Sequence, residues 1–471
     1  MSGQAAARHA SGDAPFVNCP ALLIAAPASG QGKTTLTAAL ARWHVREGRR
    51  VRVFKCGPDF LDPAWLELAS GATVHNVDPW MTGMGDVRAR LYEAARDADV
   101  ILIEGVMGLF DGHPSAADLA IALDLPVLAV VDAARMAGTF AALAYGLEHY
   151  RPALRWAGVV ANQVASPRHA GMLQAGLRDP DAWLGAMPRL VSDTQGGLLP
   201  ERHLGLVKAH EVGDALQRLD LATDALSDIA LCRLPWTAWE ERWSVRFAAP
   251  ERTAGTFIPA TPLQGRTIAV AQDAAFCFVY AANLECLDKL GATIRFFSPL
   301  ADDPLPECDA IWLPGGYPEL HARQLSQRDG LRQALHRHVQ AGRPIWAECG
   351  GMLLLMETLT DLQQEKHALM GIIPGHAAMH KRRAGLGMQQ LAVQGDVLRG
   401  HTFHYSTVSS LASVVARTCR PADAANPASG EPVFRHGSVH ATHFHAWFAS
   451  HPRAVAALFG AAPLQWDEGP W

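Results

Sequence analysis

The chain has 471 residues, of which 49% are hydrophobic and 18% charged. That length exceeds what one core usually supports, and that balance suits folded domains, so two or three globular domains are expected. A formal net charge of −5, with basic clusters no longer than Arg49, Arg50 and Arg52 or Lys381, Arg382 and Arg383, argues against a nucleic-acid partner and for a small anionic ligand.

Residues 1–15, rich in Ala, Ser and Gly, read as a disordered tail with no apolar stretch long enough for a signal peptide. No later run reaches the ~18 apolar residues of a membrane span, so a cytoplasmic protein without membrane contact is expected. Eight cysteines are scattered without a CxxC pair, which points away from a disulfide framework or a zinc cage.

From Cys19 short apolar runs alternate with helix-length segments, the pattern of a parallel sheet covered on both faces. Buried strands are predicted at Ala21–Ala26, Val51–Lys55, Val100–Glu104, Val127–Val131 and Ala157–Asn162. Most are followed by Gly, Pro or Asp, which puts functional loops at the C-terminal strand ends, where open α/β sheets place ligands.

The first such loop, Ser29-Gly-Gln-Gly-Lys-Thr-Thr35, lies between a strand and the helical pattern Leu36–Val45. Backbone N–H groups of Ser29, Gly30, Gly32 and Thr35 suit phosphate, Lys33 would reach the outer phosphates of ATP, and the Thr34 hydroxyl would complete a magnesium site. The strict Walker spacing is not met, because Pro27 stands six residues before Lys33 where glycine is usual. Asp59 and Asp62 follow the second strand, and Glu104 ends the third. Carboxylates there can hold Mg2+, with Thr34, Asp59 and Glu104 as candidate ligands, although Asp62 before Pro63 also suits an N-cap.

Residues 16–246 form the first predicted domain and 247–264 a linker carrying three prolines between Phe247 and Pro262. Residues 265–471 begin a second alternation. Strands are expected at Thr267–Ala271, Thr293–Phe297, Ala310–Leu313 and Pro344–Trp346, with helices at Tyr280–Leu290 and Met352–Thr360.

Ala347-Glu-Cys-Gly-Gly-Met352 places Cys349 where a strand meets a helix, the setting of a nucleophile elbow. The helix N-terminus would favour the thiolate, and the Gly350 N–H would help to hold an oxyanion. Gly315 or Gly316, in Leu313-Pro-Gly-Gly-Tyr-Pro-Glu319, could donate the second oxyanion hydrogen bond. A base is available among His440, His443 and His445, and the extended spacing of His443 and His445 leaves the choice open. A metal at these histidines is disfavoured because no cysteine or carboxylate stands near them at ligand spacing.

Over nearly its whole length the chain resembles the cobyrinic acid a,c-diamide synthases, which are glutamine-dependent amidases of corrinoid biosynthesis. The matching residues are Phe54-Lys-Cys-Gly-Pro-Asp-Phe-Leu-Asp-Pro63, Asp78-Pro-Trp-Met81, Glu104-Gly-Val-Met-Gly-Leu-Phe-Asp-Gly112, Pro200-Glu-Arg-His-Leu-Gly-Leu206, Leu313–Leu320, Ala347–Met352 and Gly400-His-Thr-Phe-His-Tyr-Ser406. The resemblance implies an α/β fold in two parts: a P-loop, dethiobiotin-synthetase-like domain with a parallel sheet, followed by a class I glutamine amidotransferase domain. It implies Mg2+ as cofactor, ATP and glutamine as co-substrates, acyl phosphate intermediates, and cobyrinic acid or its cobalt-free counterpart hydrogenobyrinic acid as the amidated macrocycle, with a nickel sirohydrochlorin as a further alternative.

Laying Ala441-Thr-His-Phe-His445 on the family's closing motif selects His445 as partner of Cys349. Trp447 stands where such glutaminases often carry Glu, which implies a Cys–His dyad without an acidic third member. Ala26 replaces an early loop glycine, and Met388 replaces a usual tyrosine. The resemblance also places Asp59 and Asp62 at the substrate or acyl-phosphate site. A homodimer is expected from the frequency of two-fold assemblies.

Overall fold

The computed structural model describes residues 15–190, 199–202, 205–207, 209, 212–250, 261–301, 303–421 and 430–467. Most of the predicted tail, residues 251–260 of the predicted linker, and His203 and Leu204 of the matched run lie outside the described residues. The chain divides into two compact units that part between Arg252 and Thr253.

In the first unit the strands are β1 (Phe16–Ala25), β2 (Val51–Cys56), β3 (His75–Val77), β4 (Val100–Glu104), β5 (Val127–Asp132), β6 (Trp156–Val164), β7 (Trp183–Pro188), a small hairpin of β8 (Glu201–Arg202) and β9 (Gly205–Leu206), and β10 (Ser244–Ala248). The main sheet runs β3-β2-β4-β1-β5-β6-β7, and its neighbours on this path are all parallel. Helices bury apolar faces on both sides of it. Alternate β1 residues enter opposite cores, Leu23 and Ala25 in one and Leu22 and Ile24 in the other.

β1 starts five residues before its predicted first residue because its opening half has a separate partner. Phe16 to Pro20 pair antiparallel with Ala248 to Ser244 of β10, whereas Ala21 to Ile24 pair parallel with β4. Phe247 and Ala248, assigned to the linker from composition, are therefore strand residues, and Phe247 is buried in the core. The helix after the phosphate loop, α1 (Lys33–Arg46), begins at the lysine itself.

The second unit contains β11 (Thr267–Ala271), β12 (Thr293–Phe297), β13 (Ala310–Leu313), β14 (Ile345–Glu348), β15 (Met356–Thr360), β16 (Lys366–Ala368), β17 (Ile373–Met379), β18 (Gly385–Val393), β19 (Asp396–His404), β20 (Ser406–Ser410), β21 (Ser413–Arg417), β22 (Pro432–His436), β23 (Val439–Thr442) and β24 (Phe444–Ala446). Its main sheet runs β12-β11-β13-β14-β23-β22-β21, with the first five strands parallel. A second sheet, β18-β19-β24, is antiparallel.

The predicted helix Met352–Thr360 is corrected. A short helix spans Gly350–Leu355, and Met356–Thr360 is a strand that pairs with β16 and β17. All six helical residues are buried, while Glu357 and the β-branched Thr358 and Thr360 suit a pleated, half-exposed strand.

Candidate active sites

In the first unit the phosphate loop leaves the C-terminal end of β1 between β4 and β5. Gly32 adopts φ 93°, and a Cβ there would lie 2.2 Å from Asn162 Nδ2, so only glycine fits. The Asn162 amide donates to the Gln31 carbonyl at 2.9 Å, and the Gln31 side chain accepts from Asp132 N at 2.9 Å. Three strand ends thus shape one turn. Ser29 and Gly30 are exposed, whereas Lys33 is buried and folds onto the loop, donating to the carbonyls of Ala28 (3.1 Å) and Met107 (2.7 Å). Burial, then the nearby Lys55 charge, lowers the Lys33 pKa. Thr35 lies half-buried in the first turn of α1.

The Thr34 hydroxyl donates to Glu104 Oε1 at 2.6 Å. Glu104 ends β4, fully buried, and its Oε2 has no hydrogen-bond partner among the described residues. Register pairs Lys55 with Glu104, and Lys55 Nζ lies 3.0 Å from Glu104 Oε1 and 2.6 Å from Asp62 Oδ2. Burial pushes Glu104 up to about 7 and Asp59 to about 6, with Lys55 opposing both. For Lys55 burial works against the charge, but Asp62, Glu104 and Asp59 outweigh it and hold the ammonium above its ordinary pKa.

Asp62 opens α2 (Asp62–Ser70) as its first residue, and its carboxylate is engaged by Lys55. Asp59 performs the loop-closing role instead: its Oδ1 accepts from the backbone N–H of Leu61 (2.8 Å) and Asp62 (3.0 Å). Motif reasoning misses Lys55. The signal that could have found it is a lone lysine inside the apolar strand Val51–Cys56.

In the second unit β13, β14 and β23 are adjacent and parallel, so Leu313, Glu348 and Thr442 end side by side. The chain then turns into Gly315–Gly316, Cys349 and His443–His445 respectively. Cys349 is buried with φ 44° and ψ −107°, a strained backbone for a residue with a side chain. Its N–H donates to the Thr442 carbonyl at 2.7 Å, while the Gly350 N–H is directed at its sulfur. A Cβ on Gly350 would lie 2.9 Å from Gly316 N, and one on Gly315 would lie 2.3 Å from His445 Cε1. The two glycines therefore differ in surroundings: Gly315 makes room for the imidazole, and Gly316 brings an amide nitrogen to the Cys349 turn.

His445 is fully buried, stacks on His401 at 5.0 Å and meets the edge of Phe278 at 6.0 Å. Burial, then the charges of His401, His404 and His443, lowers its pKa well below the ordinary value. Burial also raises the Cys349 thiol far above its usual range, with Glu319 adding to the effect. Burial thus opposes the charged form of both groups and works against the thiolate that the six-residue helix would favour.

The other two histidines point elsewhere. His440 packs against Trp466 at 5.3 Å. His443 Nδ1 faces Glu431 Oε2 at 3.6 Å, and His404 Nε2 lies 2.9 Å from Glu431 Oε1. The absence of a carboxylate near these histidines, inferred from spacing, is thereby corrected. Glu431 reaches them because it directly precedes β22, which pairs antiparallel with β23. Trp447 is buried and packs edge-on against Tyr280 at 5.0 Å.

Comparison with known proteins accounts for both halves. Residues 267–453 match the CobB/CobQ-like glutamine amidotransferase domain, and residues 22–197 match the CobQ/CobB/MinD/ParA nucleotide binding domain. A hydrogenobyrinate a,c-diamide synthase of Stutzerimonas stutzeri is 52% identical over 94% of this chain and 98% of its own. The chain belongs to the a,c-diamide synthase family. Another member, the hydrogenobyrinate a,c-diamide synthase of Pseudomonas aeruginosa, is 50% identical over 94% of this chain and 98% of its own. The cobyrinate a,c-diamide synthase of Herminiimonas arsenicoxydans is 48% identical over 93% and 96%. Among the described residues no helix is long and apolar enough to cross a membrane.

Proposed function

We propose that this chain amidates the a and c side-chain carboxylates of a corrinoid macrocycle, cobyrinic acid, with ammonia from glutamine and energy from ATP. The observation that carries the glutamine half is the strained Cys349 turn beside Gly316, with His445 seated on Gly315. The cysteine attacks the glutamine amide while its proton passes to His445. His445 then protonates the departing ammonia, and water resolves the glutamyl thioester to glutamate. Gly350 and Gly316 hold the oxyanion, each donor contributing ~3–4 kcal/mol in comparable sites.

In the first unit, backbone groups of the loop from Ser29 to Thr35 and Lys33 hold ATP. The buried, unbonded oxygen of Glu104 beside the Thr34 hydroxyl forms a hard-oxygen donor set that fits Mg2+. Asp59 is a weaker candidate because one of its oxygens closes the loop. Mg2+ held there would neutralise phosphate charge. Lys33 swings from its carbonyl partners onto the γ-phosphate, the substrate carboxylate becomes an acyl phosphate, and ammonia displaces phosphate. Asp62, kept in place by Lys55, orients the carboxylate. Such chemistry suits a cytoplasmic enzyme.

Cys349→Ser should abolish glutamine-driven amidation and leave amidation by ammonium salts. Loss of both with the fold intact would rule out that role for the cysteine. The names of the relatives at 52% and 50% identity favour a second reading, in which the cobalt-free ring is the substrate. Turnover on cobyrinic and hydrogenobyrinic acids compared side by side decides between them.

A further inference from the structure

Glu431 closes a ring of side chains beside the glutamine site. His404 Nδ1 lies 2.8 Å from the Ser406 carbonyl, which only accepts, so that nitrogen bears a proton. The 2.9 Å contact from His404 Nε2 to Glu431 Oε1 then requires a further proton between the two atoms. Glu431 Oε2 faces His443 Nδ1 at 3.6 Å, and His443 Nε2 meets the Ser406 hydroxyl at 2.9 Å, which returns the circuit to Ser406. Thr402 donates to Glu431 Oε1 at 3.1 Å, and Glu431 N donates to Thr418 Oγ1 at 2.8 Å.

The ring has little room to spare. A Cβ on Gly385 would lie 2.3 Å from His404 Nε2 and 2.8 Å from Glu431 Oε1. The three donors resemble a metal site in composition, since their ligand atoms all lie within 4.8 Å of one another. Geometry argues otherwise. The His404 and His443 rings stack at 3.7 Å and 11°, so their lone pairs run in parallel planes and do not converge on one ion.

Strand order links the ring to His445. β19 carries His401, Thr402 and His404, and it pairs with β24 so that His401 lies opposite His445 and Thr402 opposite Phe444. Glu431 and Ser406 engage His443, whereas His445 lies on the Gly315 side.

We propose that Glu431 is a positioning residue of glutamine hydrolysis, acting on His445 in place of the acid that Trp447 excludes. Its negative charge supports the imidazolium that forms when His445 takes the Cys349 proton, and the ring fixes which histidine is presented. This role rests on the pairing of Cys349 with His445 under the proposed function. Among the described residues, the groups that act most strongly on His445 are His401, His404, His443 and Glu431; those on Cys349 are Glu319, Glu431 and Glu348. Of the first set, Glu431 alone raises the His445 pKa.

The test is the pH dependence of glutamine hydrolysis in Glu431→Gln and His404→Gln, with folding checked by circular dichroism. Glu431→Gln should lower kcat by about 10–100-fold with little change in KM, and move the acidic limb to lower pH, because His445 loses a charge that favours its proton. His404→Gln removes a group that opposes Glu431 beside His445 and should move that limb to higher pH. Opposite displacements are not the signature of a merely structural ring.

An unchanged kcat in Glu431→Gln, or reduced activity with both limbs unmoved, overturns the proposal. Stoichiometric zinc bound by the wild type, lost in Glu431→Gln and tracking activity, would overturn it in favour of a metal site. Cys349→Ser measured alongside separates the levels: glutamine-driven amidation surviving in that variant sinks the dyad, not only the role of Glu431.

Discussion

Lys55 lies inside the first sheet with Asp62 at 2.6 Å and Glu104 at 3.0 Å, so its charge persists in a buried place only through those partners. Lys55→Met should cost about 3–5 kcal/mol in urea unfolding at neutral pH, since it leaves two facing carboxylates unanswered. The loss should shrink as pH falls, because protonation neutralises the same carboxylates. A loss below about 1 kcal/mol would mean that the cluster is far better solvated than its burial implies. At Cys349 the raised pKa predicts slow alkylation by iodoacetamide at neutral pH, accelerating as pH rises toward the thiol's range. Fast alkylation at pH ~7 would show a resting thiolate, contrary to a thiol held neutral by desolvation.

Single elements were legible in proportion to how much of their pattern was local. The strand ends Glu104 and Leu313 could be read from apolar runs bounded by Gly and Pro. The strand Met356–Thr360 could not, because a short apolar run after a six-residue helix reads as more helix, and only the pairing with β16 and β17 decides otherwise. Glu431 was invisible for a related reason: its nearness to His404 and His443 arises from strand pairing and not from spacing along the chain.

Glu348 offers a test at this scale. Its Oε1 accepts from Trp346 Nε1 at 2.8 Å and from Ala446 N at 3.2 Å, tying β14 to β24 one residue beyond His445. Burial raises it to about 8 from an ordinary 4.5. Between those values the folded chain keeps a proton that the unfolded chain releases, so this carboxyl's contribution is full below the lower pKa and fades as pH rises through the upper one. Glu348→Gln should flatten that slope, worth up to a few kcal/mol, while Gln still accepts from Trp346. A melting temperature with the same pH dependence in both proteins would discard this account.

At the scale of the whole chain, each unit has its own parallel sheet with separate apolar cores, two in each unit. The change from a Gly-rich phosphate loop to a Cys-Gly-Gly turn could be read in the sequence because each motif follows its own strand. The Lys55 cluster and the ring at Glu431 could not: strand pairing sets Lys55 beside Glu104, 49 residues on, and brings Glu431 to His443 across the β22–β23 hairpin. This division of chemistry predicts an asymmetry between substitutions at the two sites. Lys33 makes its hydrogen bonds to Ala28 and Met107 within the first unit, so under the proposed function Lys33→Ala should remove phosphate binding and leave the Cys349 turn unaltered. Amidation should then fall by at least about 100-fold whether nitrogen comes from glutamine or from ammonium, because no acyl phosphate forms to receive it. Glutamate release from glutamine should continue, since the second unit keeps its proposed nucleophile, base and oxyanion donors. Measuring ATP consumption, glutamate release and amide product in one assay tests this. If Lys33→Ala silences glutamate release as completely as amidation, the glutamine site must depend on nucleotide binding, and the two chemistries are gated together, not run in parallel.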